Sequence, residues 1–278
     1  MKRVEPSSKA DSSLPLEKLQ RAYLDALGKM LTPVELAKAL QRQPTVTDAE
    51  RKLCGEMRIP LGELKQEEVV VPHPGSIGVY FALQTALQRR YKGITESDRR
   101  LLRTLHGAAG EPIPGYVNNA IVRLSSSIGL LGPTGIGKST LLTGLADLFP
   151  SVVRHENVIK GTEVLQLPII YVSLAGDATM KALLLRILEA IDRRIGSNVL
   201  SQRALRSKAS AETLKLMVQD CCVRYGIGVI FCDETQSLTS SRAGGGELVI
   251  NELLYLRDAM GIPLVFAGTF RMLSLIHI

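Results

Sequence analysis

Between Ile128 and Leu148 the chain changes character twice. An apolar run, Ile128-Gly129-Leu130-Leu131, gives way to Gly132-Pro133-Thr134-Gly135-Ile136-Gly137-Lys138-Ser139-Thr140, and a helix-like stretch runs from Ser139 to Leu148. A glycine-rich turn between a strand and a helix is the setting in which this spacing carries chemistry. The glycines let backbone N–H groups turn inward around a phosphate chain. The N-terminus of the new helix adds free amides and the positive end of its dipole. In that arrangement Lys138 neutralises the β- and γ-phosphates of a nucleotide, and the Ser139 hydroxyl sits on Mg²⁺. A chance glycine turn after a strand has the same local composition, so the rest of the site has to be sought downstream.

It is found where Asp233-Glu234 directly follows the apolar run Val229-Ile230-Phe231-Cys232. A carboxylate at the C-terminal end of a parallel strand projects into the crevice where such sheets bind ligands. Asp233 is expected to hold the Mg²⁺ through water, and Glu234 to orient and polarise an attacking water. An Asp-Glu pair after a strand also serves as a helix N-cap; its place in the order of elements favours the site. A last strand, Leu264-Val265-Phe266-Ala267, ends in Gly268-Thr269. There the Thr269 hydroxyl is placed to bond the attacking water or the γ-phosphate, and an ordinary strand-ending turn is the alternative. Together these residues predict a Mg²⁺-nucleotide site.

The remaining core alternates in the same way. Pro168–Leu174 reads as a short β-branched strand, with a polar link separating it from Phe149-Pro150. Thr179–Ile195, Ala211–Tyr225 and Gly246–Met260 read as helices, the second ended by Gly226-Ile227-Gly228. Strands alternating with helices predict an α/β fold, a parallel sheet covered on both faces in three layers, as in P-loop NTPases.

Residues 1–14 are polar and read as a disordered lead-in. Residues 15–115 read as a helical N-terminal region suited to docking a partner or packing as a subdomain, and 116–278 as the ATPase core. Thr32-Pro33-Val34-Glu35 and Thr47-Asp48-Ala49-Glu50 are helix starts, and Ile77–Tyr91 is a longer helix. Val69–Gly75 is extended and bounded by prolines, and the Gly- and Pro-rich stretch 107–115 reads as a loop.

Composition narrows the partners. The net charge of +7 makes an acidic partner such as DNA plausible, and the absence of Trp with 4% aromatics favours backbone contacts over base stacking. No apolar run approaches membrane-spanning length, and no apolar segment backs the charged start, so neither a membrane partner nor a secretory signal is expected. Cys54, Cys221, Cys222 and Cys232 form no CxxC pair. Reduced, largely buried thiols in a cytoplasmic protein are the expectation.

From about Ile59 to Thr269 the sequence resembles the TnsC/TniB family of AAA+ ATPases, regulators of DNA transposition. The resemblance rests on Leu130-Leu131-Gly132 leading into the loop, Arg154-His155-Glu156, and the run from Ala190 to Asn198. It continues through Asp233-Glu234-Thr235-Gln236-Ser237-Leu238, Ser240–Gly245 and Gly261-Ile262-Pro263 before the last strand. It implies a protein that binds ATP, forms rings or filaments on double-stranded DNA and connects a target-selecting protein to a transposase, with hydrolysis dismantling the homo-oligomer. It also implies DNA contacts at Lys181, Arg193, Arg194 and Ser197, although these residues read equally as a solvated helix face. Tyr91-Lys92-Gly93 is implied to border the adenine, and the N-terminal helices to meet the target selector. A replication-initiator or helicase-loader ATPase, and a non-hydrolysing nucleotide-bound adaptor, are the alternatives.

The resemblance stops short at the C-terminus. Family members continue with an arginine finger, a fifth strand and a helical lid, which cannot fit in Phe270–Ile278, and 273–278 read as a non-native tail. A truncated fragment that binds nucleotide but turns it over weakly is the expectation.

Overall fold

The computed structural model describes residues 16–56, 70–105, 127–159, 162–174, 179–240 and 245–272. Four parallel strands form the main sheet: β1 (Ser127–Leu131), β4 (Ile169–Ser173), β5 (Val229–Asp233) and β6 (Leu264–Gly268), in the spatial order β1-β6-β5-β4. Both central strands, β5 and β6, are buried along their whole length. Strands covered on both faces need such continuous apolar runs, and these two have them. Register aligns Leu131 with Gly268 and Ser173 with Asp233, so the strand ends that carry chemistry finish at the same level.

Ten helices accompany the sheets among the described residues. N-terminal to it lie α1 (Leu16–Asp25), α2 (Pro33–Leu40), α3 (Asp48–Arg51), α4 (Pro74–Lys92) and α5 (Glu96–Leu105). The core adds α6 (Lys138–Asp147), α7 (Met180–Ile195), α8 (Val199–Arg206), α9 (Ala211–Arg224) and α10 (Gly245–Met260). Thr32 and Thr47 each close a capping box with the Glu three residues on, although α3 runs for a single turn. One apolar cluster extends from Leu19 in α1 to Met272, so the N-terminal helices share the core of the sheet.

Close packing between them is explicit at Gly228. A Cβ there would lie 2.6 Å from Leu87, from the Pro168 carbonyl and from the Tyr91 hydroxyl, so only glycine lets α4 approach β5. Arg90 and Tyr91 at the end of α4 then donate to the Ile227 and Gly226 carbonyls at 3.2 and 3.1 Å.

Three features differ from the sequence reading. The link after Phe149-Pro150 is an antiparallel hairpin, β2 (Val153–Ile159) with β3 (Thr162–Gln166). Its pattern escapes hydropathy because much of its pairing is polar: Arg154 meets Glu163 at 2.8 Å, and His155 meets Gln166 at 2.7 Å. The buried Gln166 amide in turn donates to the Tyr23 carbonyl. Helix α8 was not foreseen, because its start is satisfied from a distance. The buried Asp192 carboxylate accepts from the Leu200 and Ser201 N–H groups and from the Ser201 hydroxyl, while Asn198 makes no cap. Helix α5 carries a readable signal that went unused, Thr95 and Asp98 bonding each other reciprocally. The lead-in, the expected loop over 107–115 and residues 273–278 lie outside the described residues.

Candidate active site

The phosphate loop leaves β1 at Leu131, and the Gly132 N–H still bonds the Gly268 carbonyl of β6 at 3.2 Å. Gly135 and Gly137 have φ of 81° and 86°, a left-handed backbone that glycine adopts without strain. Gly137 is the N-cap of α6 and has no side chain to cap with, so the first amides of the helix stay open to a ligand. Helix α6 begins at Lys138. Lys138 folds back over the loop and donates from Nζ to the Gly132 and Pro133 carbonyls at 3.0 and 2.8 Å. Thr134, Ile136, Ser139 and Thr140 lie exposed around the turn.

Across the sheet, Asp233 is the last residue of β5 rather than the first beyond it, and it is buried. Its Oδ1 accepts from the Glu234 N–H at 2.8 Å, and its Oδ2 accepts from the Tyr171 hydroxyl. The Ser139 side chain lies close to the same phenol. Tyr171 therefore joins the phosphate loop to the β5 carboxylate and places Ser139 and Asp233 around one point. Burial first, then the contact with Asp233, pushes the phenol well above the ordinary tyrosine value, so it stays protonated and donates.

Glu234 is exposed at the strand tip with φ of 56°, a left-handed backbone rare for a residue with a side chain. Its carboxylate accepts from the Ser173 hydroxyl at 3.2 Å. Thr269 follows β6 directly, and its Oγ1 is buried without a hydrogen-bond partner among the described residues. An unpaired buried hydroxyl is costly, and such groups concentrate where a ligand completes them. Beside it the buried Thr235 hydroxyl donates to the Ala267 carbonyl at 2.8 Å, which braces the β5 and β6 tips against each other.

On its other side the loop opens into a cavity of about 600 Å³. Val71, His73 and Val79 line one wall, and Ile136, Leu141 and Gly144 the other. Arg42, also on its rim, holds Asp147 of α6 in an ion pair at 2.7 Å, which fastens the N-terminal region over the loop. A slot between apolar walls beside a phosphate loop suits a planar base. Tyr91, expected to border the adenine, does not line this cavity: it is fully buried against Tyr23, and its hydroxyl donates to the Gly226 carbonyl.

A family model described as AAA domain matches residues 123–276, a little over half of the 278-residue chain. The chain belongs to this AAA family. No curated protein matches it significantly.

As an AAA domain it has the parallel α/β sheet of a P-loop NTPase, and AAA domains bind nucleotide, typically with Mg²⁺. The residues present fit that cation. Ser139 and Asp233 both lie beside the Tyr171 phenol, one hydroxyl and one carboxylate at the edge of the phosphate loop. A small donor set is what Mg²⁺ uses when phosphates supply the remaining ligands.

The four residues implied in DNA contact do not form one cluster. Lys181 is exposed in the first turn of α7, whereas Arg193 and Arg194 close the same helix about 18 Å further along its axis. Ser197 lies just beyond them and accepts from the Val199 N–H at 3.1 Å. Sequence reasoning did not single out Tyr171, Ser173 or the cavity wall from Val71 to Val79. No helix among the described residues is long and apolar enough to cross a membrane.

Proposed function

We propose that this AAA domain is an ATPase of the TnsC/TniB kind: a regulator of DNA transposition that assembles on double-stranded DNA and links a target selector to a transposase. ATP hydrolysis is the switch that disassembles it. The observation that carries the nucleotide half is the convergence of the phosphate loop, Asp233, Glu234 and Thr269 at one end of the sheet, with Tyr171 joining the first two.

Each residue has a distinct task. The open amides of the loop and Lys138 bind the phosphate chain and offset its charge. Ser139 and Asp233 would hold Mg²⁺, which when bound neutralises charge on the phosphates. Glu234 orients a water and takes its proton, and Thr269 donates its free hydroxyl toward the γ-phosphate or that water. The cavity beside Val71 and Leu141 takes the adenine.

The DNA half rests on the resemblance and on charge. Beyond Arg193 and Arg194, helix α8 and the turn after it present Arg203, Arg206 and Lys208, all exposed, which extends the cationic surface past the residues first considered. Phosphate contacts of this kind give affinity without sequence preference.

The test uses Glu234→Gln, with duplex DNA and ATP. Binding of ATP is retained, phosphate release falls by about 10²-fold or more, and the DNA-bound form accumulates. Phosphate release at the parent rate removes Glu234 from its role. ATP binding that neither responds to DNA nor alters DNA retention favours the inert adaptor.

A further inference from the structure

Tyr171 is a strand residue, opposite Phe231 in the β4–β5 register, whose hydroxyl reaches past the strand to the Asp233 carboxylate. The Ser139 side chain meets the same hydroxyl. These are the two side chains that hold the divalent cation in the function proposed above. Ser139 would hold a Mg²⁺ ion there directly, and Asp233 would hold it through a water. The phenol already donates to Asp233 Oδ2, one of the two oxygens available to such a water, and it lies close to the Ser139 side chain.

We propose that Tyr171 is a gate on the cation position: its hydroxyl competes with the hydrated divalent cation for Asp233 and Ser139, and so sets how much Mg²⁺ the site needs. With the cation bound, the Tyr171 phenol would turn away from Asp233. Unloading returns it, leaving the buried Asp233 carboxylate with a donor in either state. An unpaired buried carboxylate would be costly, so the exchange keeps both states accessible. Cation occupancy is thereby coupled to the side-chain position of a β4 residue. Ser173, two residues further along the same strand, holds Glu234, which places the cation gate and the water-orienting acid on one short segment.

This inference rests on the nucleotide reading, and the experiment separates the two. A fluorescent ATP analogue is titrated into the wild-type chain and into Tyr171→Phe, first in EDTA and then at increasing Mg²⁺. Removing the competing hydroxyl is expected to lower the half-saturating Mg²⁺ concentration by about 10-fold, the scale of one hydrogen bond to a charged group. Affinity in EDTA is expected to stay unchanged. An unchanged or higher Mg²⁺ requirement in Tyr171→Phe overturns the gate while leaving nucleotide binding standing. Failure of the wild type to bind the analogue under either condition overturns both.

The wild type supplies a second readout that does not depend on the variant folding. Mg²⁺ added to the nucleotide-bound chain moves one phenol off a carboxylate, so the near-ultraviolet absorbance of its seven tyrosines shifts. The absence of that shift at saturating Mg²⁺ contradicts the gate.

Discussion

The Ser173 hydroxyl donates to Glu234 at 3.2 Å, across the ends of adjacent strands β4 and β5. Because the sheet order is β1-β6-β5-β4, this bond draws the carboxylate toward the edge strand β4 and away from β6, which Thr269 follows. Glu234 is the acid proposed to orient water, so the bond holds it back. Replacing Ser173 with Ala is expected to raise basal phosphate release by about five-fold or less, the scale of one exposed hydrogen bond. Steady-state turnover without DNA checks this, and a decrease contradicts the restraining role.

Thr269 gives a prediction in which stability and activity move in opposite directions. Its Oγ1 is buried without a partner among the described residues, so the hydroxyl is a cost to the fold. Thr269→Val keeps the shape and removes that cost. The melting temperature is expected to stay or rise, by up to about 1 kcal/mol of stability, while phosphate release falls on the order of 10-fold or more. A variant less stable than the parent assigns the hydroxyl a structural bond instead.

The thiols define an alkaline limit. Burial pushes Cys221 and Cys232 up to about 12, against an ordinary value of 9.0, and raises Cys222 as well. The fold therefore favours the protonated thiols. Their contribution to stability is complete below pH 9 and declines as the pH rises from there toward 12. Denaturant midpoints measured across that window are expected to fall. At neutral pH a thiol reagent is expected to label exposed Cys54 readily and the other three cysteines only after unfolding.

Gly228 tests the attachment of the N-terminal helices. Its Cβ position collides at 2.6 Å with backbone as well as side-chain atoms, so Gly228→Ala must move α4 or β5. A loss of about 1–3 kcal/mol is expected in chemical denaturation. Asp233 ends the strand that Gly228 leads into, so weaker Mg²⁺-dependent nucleotide binding is expected to accompany it.

Much of the site was legible because its signals are local. Gly135, Gly137 and Lys138 declare a loop between a strand and a helix within a few residues, and Asp233 and Thr269 follow apolar runs that can only be buried strands. Tyr171 was not legible. In sequence it is one more residue of a β-branched strand, and only the register with β5 brings its hydroxyl to Asp233. The cavity beside the phosphate loop was not legible for a related reason. Val71 and His73 reach the loop through the isolated bridge between Arg42 and Val70 and the Arg42–Asp147 ion pair, contacts between distant parts of the chain. Helix α8 depended on Asp192, a cap from outside its own start, and the β2–β3 hairpin on polar pairing that hydropathy does not register.

The account stands on Lys138, the cation that closes the phosphate loop over its own Gly132 and Pro133 carbonyls. Equilibrium binding of a fluorescent ATP analogue with Mg²⁺ to the parent and to Lys138→Ala tests it most directly. The account predicts saturable binding by the parent and a loss of at least about 100-fold in the variant, the worth of a charge-assisted contact to phosphate. Equal affinity in the two proteins would show that the nucleotide is held elsewhere.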